Sequence, residues 1–93
     1  MANNLFVSYD LYSPGQNYDS VAKAIKSLGS WAKVQKSLWY VKSSKTASEA
    51  VDTVWAVMDA NDSIIVVDAT NQAVSWQNLN DEVADHLRRK WNE

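Results

Sequence analysis

Hydrophobic and polar positions change period several times along the chain, and each change marks an element. Leu5, Val7, Tyr9 and Leu11 alternate with Phe6, Ser8 and Asp10, the two-residue period of a strand with one apolar and one mixed face. Apolar residues on both faces place this strand centrally in a sheet. Pro14-Gly15 then marks a turn within a loop from Tyr12 to Asn17. Val21, Ile25 and Leu28 stand at i, i+4 and i+7, which predicts a helix over 19–28. Asn17 or Asp19 can cap its start, and Gly29 suits a left-handed residue closing it.

The stretch 30–42 is aromatic and β-branched and reads as two strands, 31–35 and 38–42, joined by a bend or bulge near Lys36-Ser37. Thr46-Ala47-Ser48-Glu49 has the form of a capping box, and Ala47, Val51, Val54, Trp55 and Met58 continue it as a helix over 47–58. Ser63 to Asp68 is a short apolar run, too short for a buried helix, and reads as a strand. Ala73 to Trp76 reads as a further short strand. A last helix runs from about Asn80 to Trp91, capped by Asn78 or Asn80, with Leu79, Val83, Leu87 and Trp91 as its stripe. Its acids lie at the start and its bases at the end, as the helix dipole favours.

The first six elements follow the order βαββαβ, that of the ferredoxin-like split βαβ sandwich, an α+β fold. The expectation is one domain over 1–93, with an extra short strand and a C-terminal helix. Both helices of the repeat would lie on one sheet face. The other face, carrying Phe6, would be bare and would call for a partner. The final helix is expected to dock by Val83, Leu87 and Trp91.

At 93 residues the chain is long enough for a core without staples. It has no cysteine, which removes disulfides and thiolate chemistry, and a single histidine, His86. No apolar run approaches a membrane span. Met1-Ala2-Asn3-Asn4 lacks the regions of a signal peptide, so a soluble cytoplasmic protein is the expectation. The net charge of −2 hides an asymmetry, +4 over residues 1–46 against −6 over 47–93. The basic half could face phosphate, or the halves could complement one another within the fold or across a self-association. Five tryptophans in so small a chain are hard to cover in a monomer, which points some of them to an interface.

Few residues carry candidate chemistry. Asp10, at the end of the first strand, can bind a metal, cap the Pro14-Gly15 turn or do neither. The other strand-end acid, Asp68, falls at the opposite end of the sheet. Magnesium usually takes one or two carboxylates with water and phosphate, so a site at Asp10 needs two copies of it, one from each subunit of a dimer. His86 reads as a solvated helix residue. No Ser-His-Asp order, glycine-rich phosphate loop or zinc spacing is present.

Two segments together resemble a known family. Leu5 to Asp10, ending in Tyr9-Asp10, is similar to the first strand of the small CRISPR-associated protein two family. Gly29 to Trp39, with Lys33-Val34-Gln35-Lys36-Ser37-Leu38-Trp39, resembles that family's hairpin motif. The virulence-associated protein D ribonucleases share the scaffold, and the resemblance covers about residues 4–68. It implies a ferredoxin-like homodimer in which Asp10 of each subunit would be catalytic and would hold a divalent metal, magnesium, for phosphodiester cleavage. It also implies that Lys33, Gln35, Lys36 and Ser37 contact nucleic acid, RNA or DNA, or a protein partner. Many members act as scaffolds without needing cleavage. Leu11 to Asn17 lacks the positive charge that the family often has there, which favours a non-catalytic interaction module. The Gln35-x-Ser37 hairpin keeps a metal-dependent endoribonuclease as the alternative.

Overall fold

A computed structural model describes residues 2–12 and 18–93. The elements are β1 (Asn3–Asp10), α1 (Tyr18–Lys26), β2 (Gly29–Gln35), β3 (Leu38–Ser43), α2 (Ala47–Trp55), β4 (Ser63–Asp68) and α3 (Asp81–Lys90). The fold is α+β. Its strands form one antiparallel sheet in the order β2-β3-β1-β4. No helix among the described residues is long and apolar enough to cross a membrane.

β1 is central, as the presence of apolar residues on both its faces predicts. Leu5, Val7 and Tyr9 point to the face that α1 and α2 cover. There they meet Val21 and Ile25 of α1, Ala50 and Val54 of α2, and Trp39 and Val41 of β3. Each such aliphatic side chain contributes about 2 kcal/mol by leaving water. The capping box of α2 forms as read. Thr46 Oγ1 accepts from the Glu49 N–H at 3.1 Å, and Glu49 Oε1 accepts from the Thr46 N–H at 2.9 Å. These bonds to the ionised form hold the Glu49 carboxyl below its ordinary pKa.

Three expectations are corrected. Gly29 does not close α1 in the left-handed region; it opens β2. Its glycine is needed because a Cβ there would collide with the Lys42 carbonyl of the neighbouring strand. Residues 73–76 form no strand. Val74 and Trp76 are half-buried and Ser75 is exposed, so the alternation is real. However, Val74 and Trp76 line a recess with Phe6, Leu38 and Leu87 on the sheet's second face, and they add nothing to its edge. The second face is not bare either, because α3 packs on it.

α3 is capped by Asn80, whose Oδ1 accepts from the Glu82 N–H at 2.7 Å. Ala84 and Leu87 are its buried contacts, with Val83 and Trp91 half-buried. The Trp91 ring lies 5.8 Å from Phe6 and 5.7 Å from Tyr40 between centroids. His86, expected in solvent, is half-buried and meets Tyr40 edge-on at 5.9 Å. The helix register explains both shifts: residues 83, 84, 87 and 91 share one side with 86 at its border.

A buried polar knot ties the end of α3 to the sheet. Asn4 is 1% exposed. Its Oδ1 accepts from Tyr40 Oη at 2.7 Å and from Lys42 Nζ at 3.0 Å, and its Nδ2 donates to the Trp91 carbonyl at 2.9 Å. Lys42 Nζ also donates to that carbonyl, at 3.3 Å. Trp91 Nε1 donates to the Gln72 carbonyl at 2.8 Å, which fastens the 69–80 connection as well. Asn4→Ala would leave the Tyr40 hydroxyl and Lys42 short of a partner while buried. The expected loss is about 2–4 kcal/mol of unfolding free energy by urea titration. A loss within experimental error would show that α3 does not depend on Asn4.

Candidate functional site

Asp10 ends β1 and is exposed, opposite Ser63 of β4. It alternates with Ser8, Phe6 and Asn4, so it belongs to the face that carries α3. The tip of the β2–β3 hairpin lies at the same end of the sheet. The Tyr9 N–H donates to the Ser37 carbonyl at 3.3 Å, and Ser8 pairs with Leu38. The structure therefore brings Asp10 and the Lys36-Ser37 turn to one end.

The hairpin residues do not converge on Asp10. A register shift between Lys33 and Gln35 makes a bulge at Val34. Lys33 pairs with Trp39, on the α1–α2 face, and its Nζ lies 5.7 Å from the Trp39 ring centroid. Gln35 pairs with Leu38 and borders the recess on the opposite face. Lys36 is exposed and Ser37 half-buried. The cation of Lys26 lies 4.6 Å from the Trp31 ring centroid and 6.0 Å from that of Trp39. Two lysines thus flank an aromatic pair whose rings are 5.4 Å apart. The Trp39 Nε1 hydrogen is buried with no hydrogen-bond partner among the described residues.

The acid that organises this end is Asp62, not Asp10. Asp62 is buried; its Oδ1 accepts from the Tyr12 N–H and its Oδ2 from the Asp59 N–H, each at 2.7 Å. It locks the loop after α2 to the segment leaving β1. Asp62 lies just past the helix that the pattern predicts over 47–58, and a short acid before a strand is a common turn former. The suggested turn of Asp10 with Pro14-Gly15 lies outside the described residues. Among the described residues no three acids or histidines gather as metal ligands. One exposed carboxylate does not fit a divalent ion, so no chemistry is routed through a metal within a single chain.

A second concavity, about 570 Å³, runs between the free edge of β2 and α3. Lys33, His86 and Arg89 border it beside Glu82 and Asp85, so its charge is mixed. Ser30 Oγ and His86 Nε2 are 3.5 Å apart, the outer limit of a hydrogen bond. Burial lowers the His86 pKa, the Ser30 contact opposes this, and Arg89 and Lys90 reinforce it. Among the described residues no carboxylate hydrogen-bonds its ring, so the pair lacks the orienting group of a nucleophilic site. The ion pairs of the described residues, Arg88–Asp85 and Lys90–Glu93, lie within the C-terminal segment. The basic and acidic halves thus form no ion pair with each other there.

No protein-family model matches the chain, and no curated protein sequence matches it significantly.

Tyr40, in the polar knot beneath α3, carries the clearest electrostatic shift. Burial, with the Glu93 carboxylate adding to it, pushes the phenol up to about 12. An unfolded tyrosine ionises near pH 10. The folded state therefore holds the proton longer, and this contribution to stability is present below pH about 10 and lost as pH rises through about 12. Wild type should lose unfolding free energy over that window by more than Tyr40→Phe, measured by urea titration at stepped pH. Equal losses would contradict the buried, protonated phenol.

Proposed function

We propose that the chain is a homodimeric interaction or scaffold module on a ferredoxin-like sheet, similar to CRISPR-associated protein two and working without strong catalysis. The strand order β2-β3-β1-β4, with two helices sharing one face, supports the ferredoxin-like reading. One observation carries the interaction reading. α3 leaves the β4 side of its face open, where Ile65 is 61% and Val67 49% exposed. A small protein that keeps two aliphatic side chains on a strand in water is offering a contact surface. Of the hairpin residues, Gln35 shares that face and Lys36 and Ser37 form the turn at the Asp10 end of the sheet, where they serve as polar contacts beyond the β4 patch; Lys33 lies on the α1–α2 face.

The alternative is a divalent-metal-dependent endoribonuclease using Asp10 from two subunits. The closeness of the Lys36-Ser37 turn to the Asp10 end of β1 favours it, since a cation there would meet a phosphate near the acid. The test is cleavage of labelled single-stranded RNA with magnesium or manganese, wild type beside Asp10→Asn. That substitution keeps the shape and removes the charge. The expected result is no cleavage above blank by either protein. Metal-dependent cleavage by wild type that Asp10→Asn abolishes would overturn the non-catalytic reading and establish the alternative.

A further inference from the structure

The two edges of the sheet are treated differently. β2 carries Lys33, a bulge at Val34 and the flank of α3 along its edge, the devices that stop an edge from pairing. β4 has none of them. Its register with β1 is unbroken from Leu5–Asp68 to Asp10–Ser63, and Ser63-Ile64-Ile65-Val66-Val67-Asp68 contains no lysine, arginine or proline.

The directions of the free groups follow from one bond. The Ala69 N–H donates to the Asn4 carbonyl at 2.8 Å, so residue 69 turns its backbone groups to β1. Antiparallel pairing alternates. Ser63, Ile65 and Val67 therefore face β1, and Ile64, Val66 and Asp68 present their N–H and C=O groups outward. Among the described residues nothing hydrogen-bonds those outward groups.

We propose that β4 pairs antiparallel with β4 of a second copy of this chain, centred on Val66, so that two sheets become one of eight strands. This rests on the dimeric reading above and names its interface. A two-fold axis normal to the sheet pairs residues of the same face. With Val66 opposite the partner's Val66, Ile64 falls opposite the partner's Asp68, and these are the three outward-facing residues. Each forms a hydrogen-bonded pair. Ile65 then falls opposite the partner's Val67 in the close, non-hydrogen-bonded geometry. The two exposed aliphatics of one copy meet the two of the other, and Asp68 faces an isoleucine, not another acid. That self-complementarity selects a second copy over an unrelated strand. The pairing also sets the two Asp10 residues roughly 25 Å apart, from six residues of strand length and three strand spacings. They could not share a metal.

The test is sedimentation of wild type and V66P at physiological salt, with cysteine cross-linking as a second measurement. The Val66 N–H points away from β1, so proline there spares the β1 ladder while blocking the partner. Wild type should be dimeric, and V66P should raise the dimer dissociation constant at least about tenfold. The chain has no native cysteine. An equimolar mixture of I65C and V67C should therefore oxidise to a mixed disulfide faster than either variant alone, whether or not V66P folds well. Wild type that stays monomeric at high micromolar concentration would overturn both this interface and the dimeric reading; an unrelated strand as the true occupant would give that result. A wild-type dimer with no mixed cross-linking preference would overturn the β4 interface alone.

Discussion

The side chain of Asn4 is the joint on which the second face depends. A small sheet can bury one face under two helices by the alternation of its strands alone. To hold a third helix on the other face it needs an anchor. Here a buried amide takes hydrogen bonds from a tyrosine and a lysine of β3 and gives one to the end of α3. Lys42 has no carboxylate in this knot. Its Nζ is satisfied by the Asn4 amide oxygen and the Trp91 carbonyl, at the helix end where the dipole favours a cation. A buried polar network of this kind adds modest net stability but penalises any other placement of the helix. Where α3 ends therefore fixes which part of the sheet is covered and which is left.

That placement links the fold to the proposed contact surface. α3 and the 69–80 connection cover the β2–β3–β1 part of the second face, through Leu87, Trp91, Val74 and Trp76. They stop short of β4. The exposure of Ile65 and Val67 and the α3 flank along β2 follow from that helix position, while Lys33 and the Val34 bulge guard the β2 edge independently of it. Asp10 sits at the end of this arrangement, and among the described residues no three acids or histidines gather there. The acid that shapes its surroundings, Asp62, is occupied in holding a loop. The exposed aliphatics of β4 are the feature on which the proposed contact surface rests.

Much of this was legible in the sequence where a local rule decides the outcome. The alternation of Leu5 to Tyr9 gave a central strand, Thr46 and Glu49 gave a capping box, and the run from Ser63 to Asp68 gave β4. The misreadings share a cause, a long-range contact that local pattern cannot show. Gly29 is glycine because β3 passes beside it. Val74 and Trp76 alternate because they rest on a sheet face. Nothing local marks Asn4 as a joint, because its partners lie 36, 38 and 87 residues away. His86 looked solvated because its flanking residues are charged, yet it borders the docked side of α3. For the candidate site, the sequence named Asp10 and the hairpin, and the structure sets them at one end of the sheet. The bulge at Val34, which no turn signature announced, then sends Lys33 and Gln35 to opposite faces.

The central claim, that the clamped α3 leaves β4 as the edge a second copy occupies, predicts an alternating pattern along six residues. Backbone amide exchange followed by NMR over a concentration series reads it directly. The Ile65 and Val67 amides, bonded to β1, should be protected at every concentration. Those of Ile64, Val66 and Asp68 should be protected at high concentration and exchange quickly once the protein is diluted. Fast exchange of Ile64, Val66 and Asp68 at all concentrations would contradict the account.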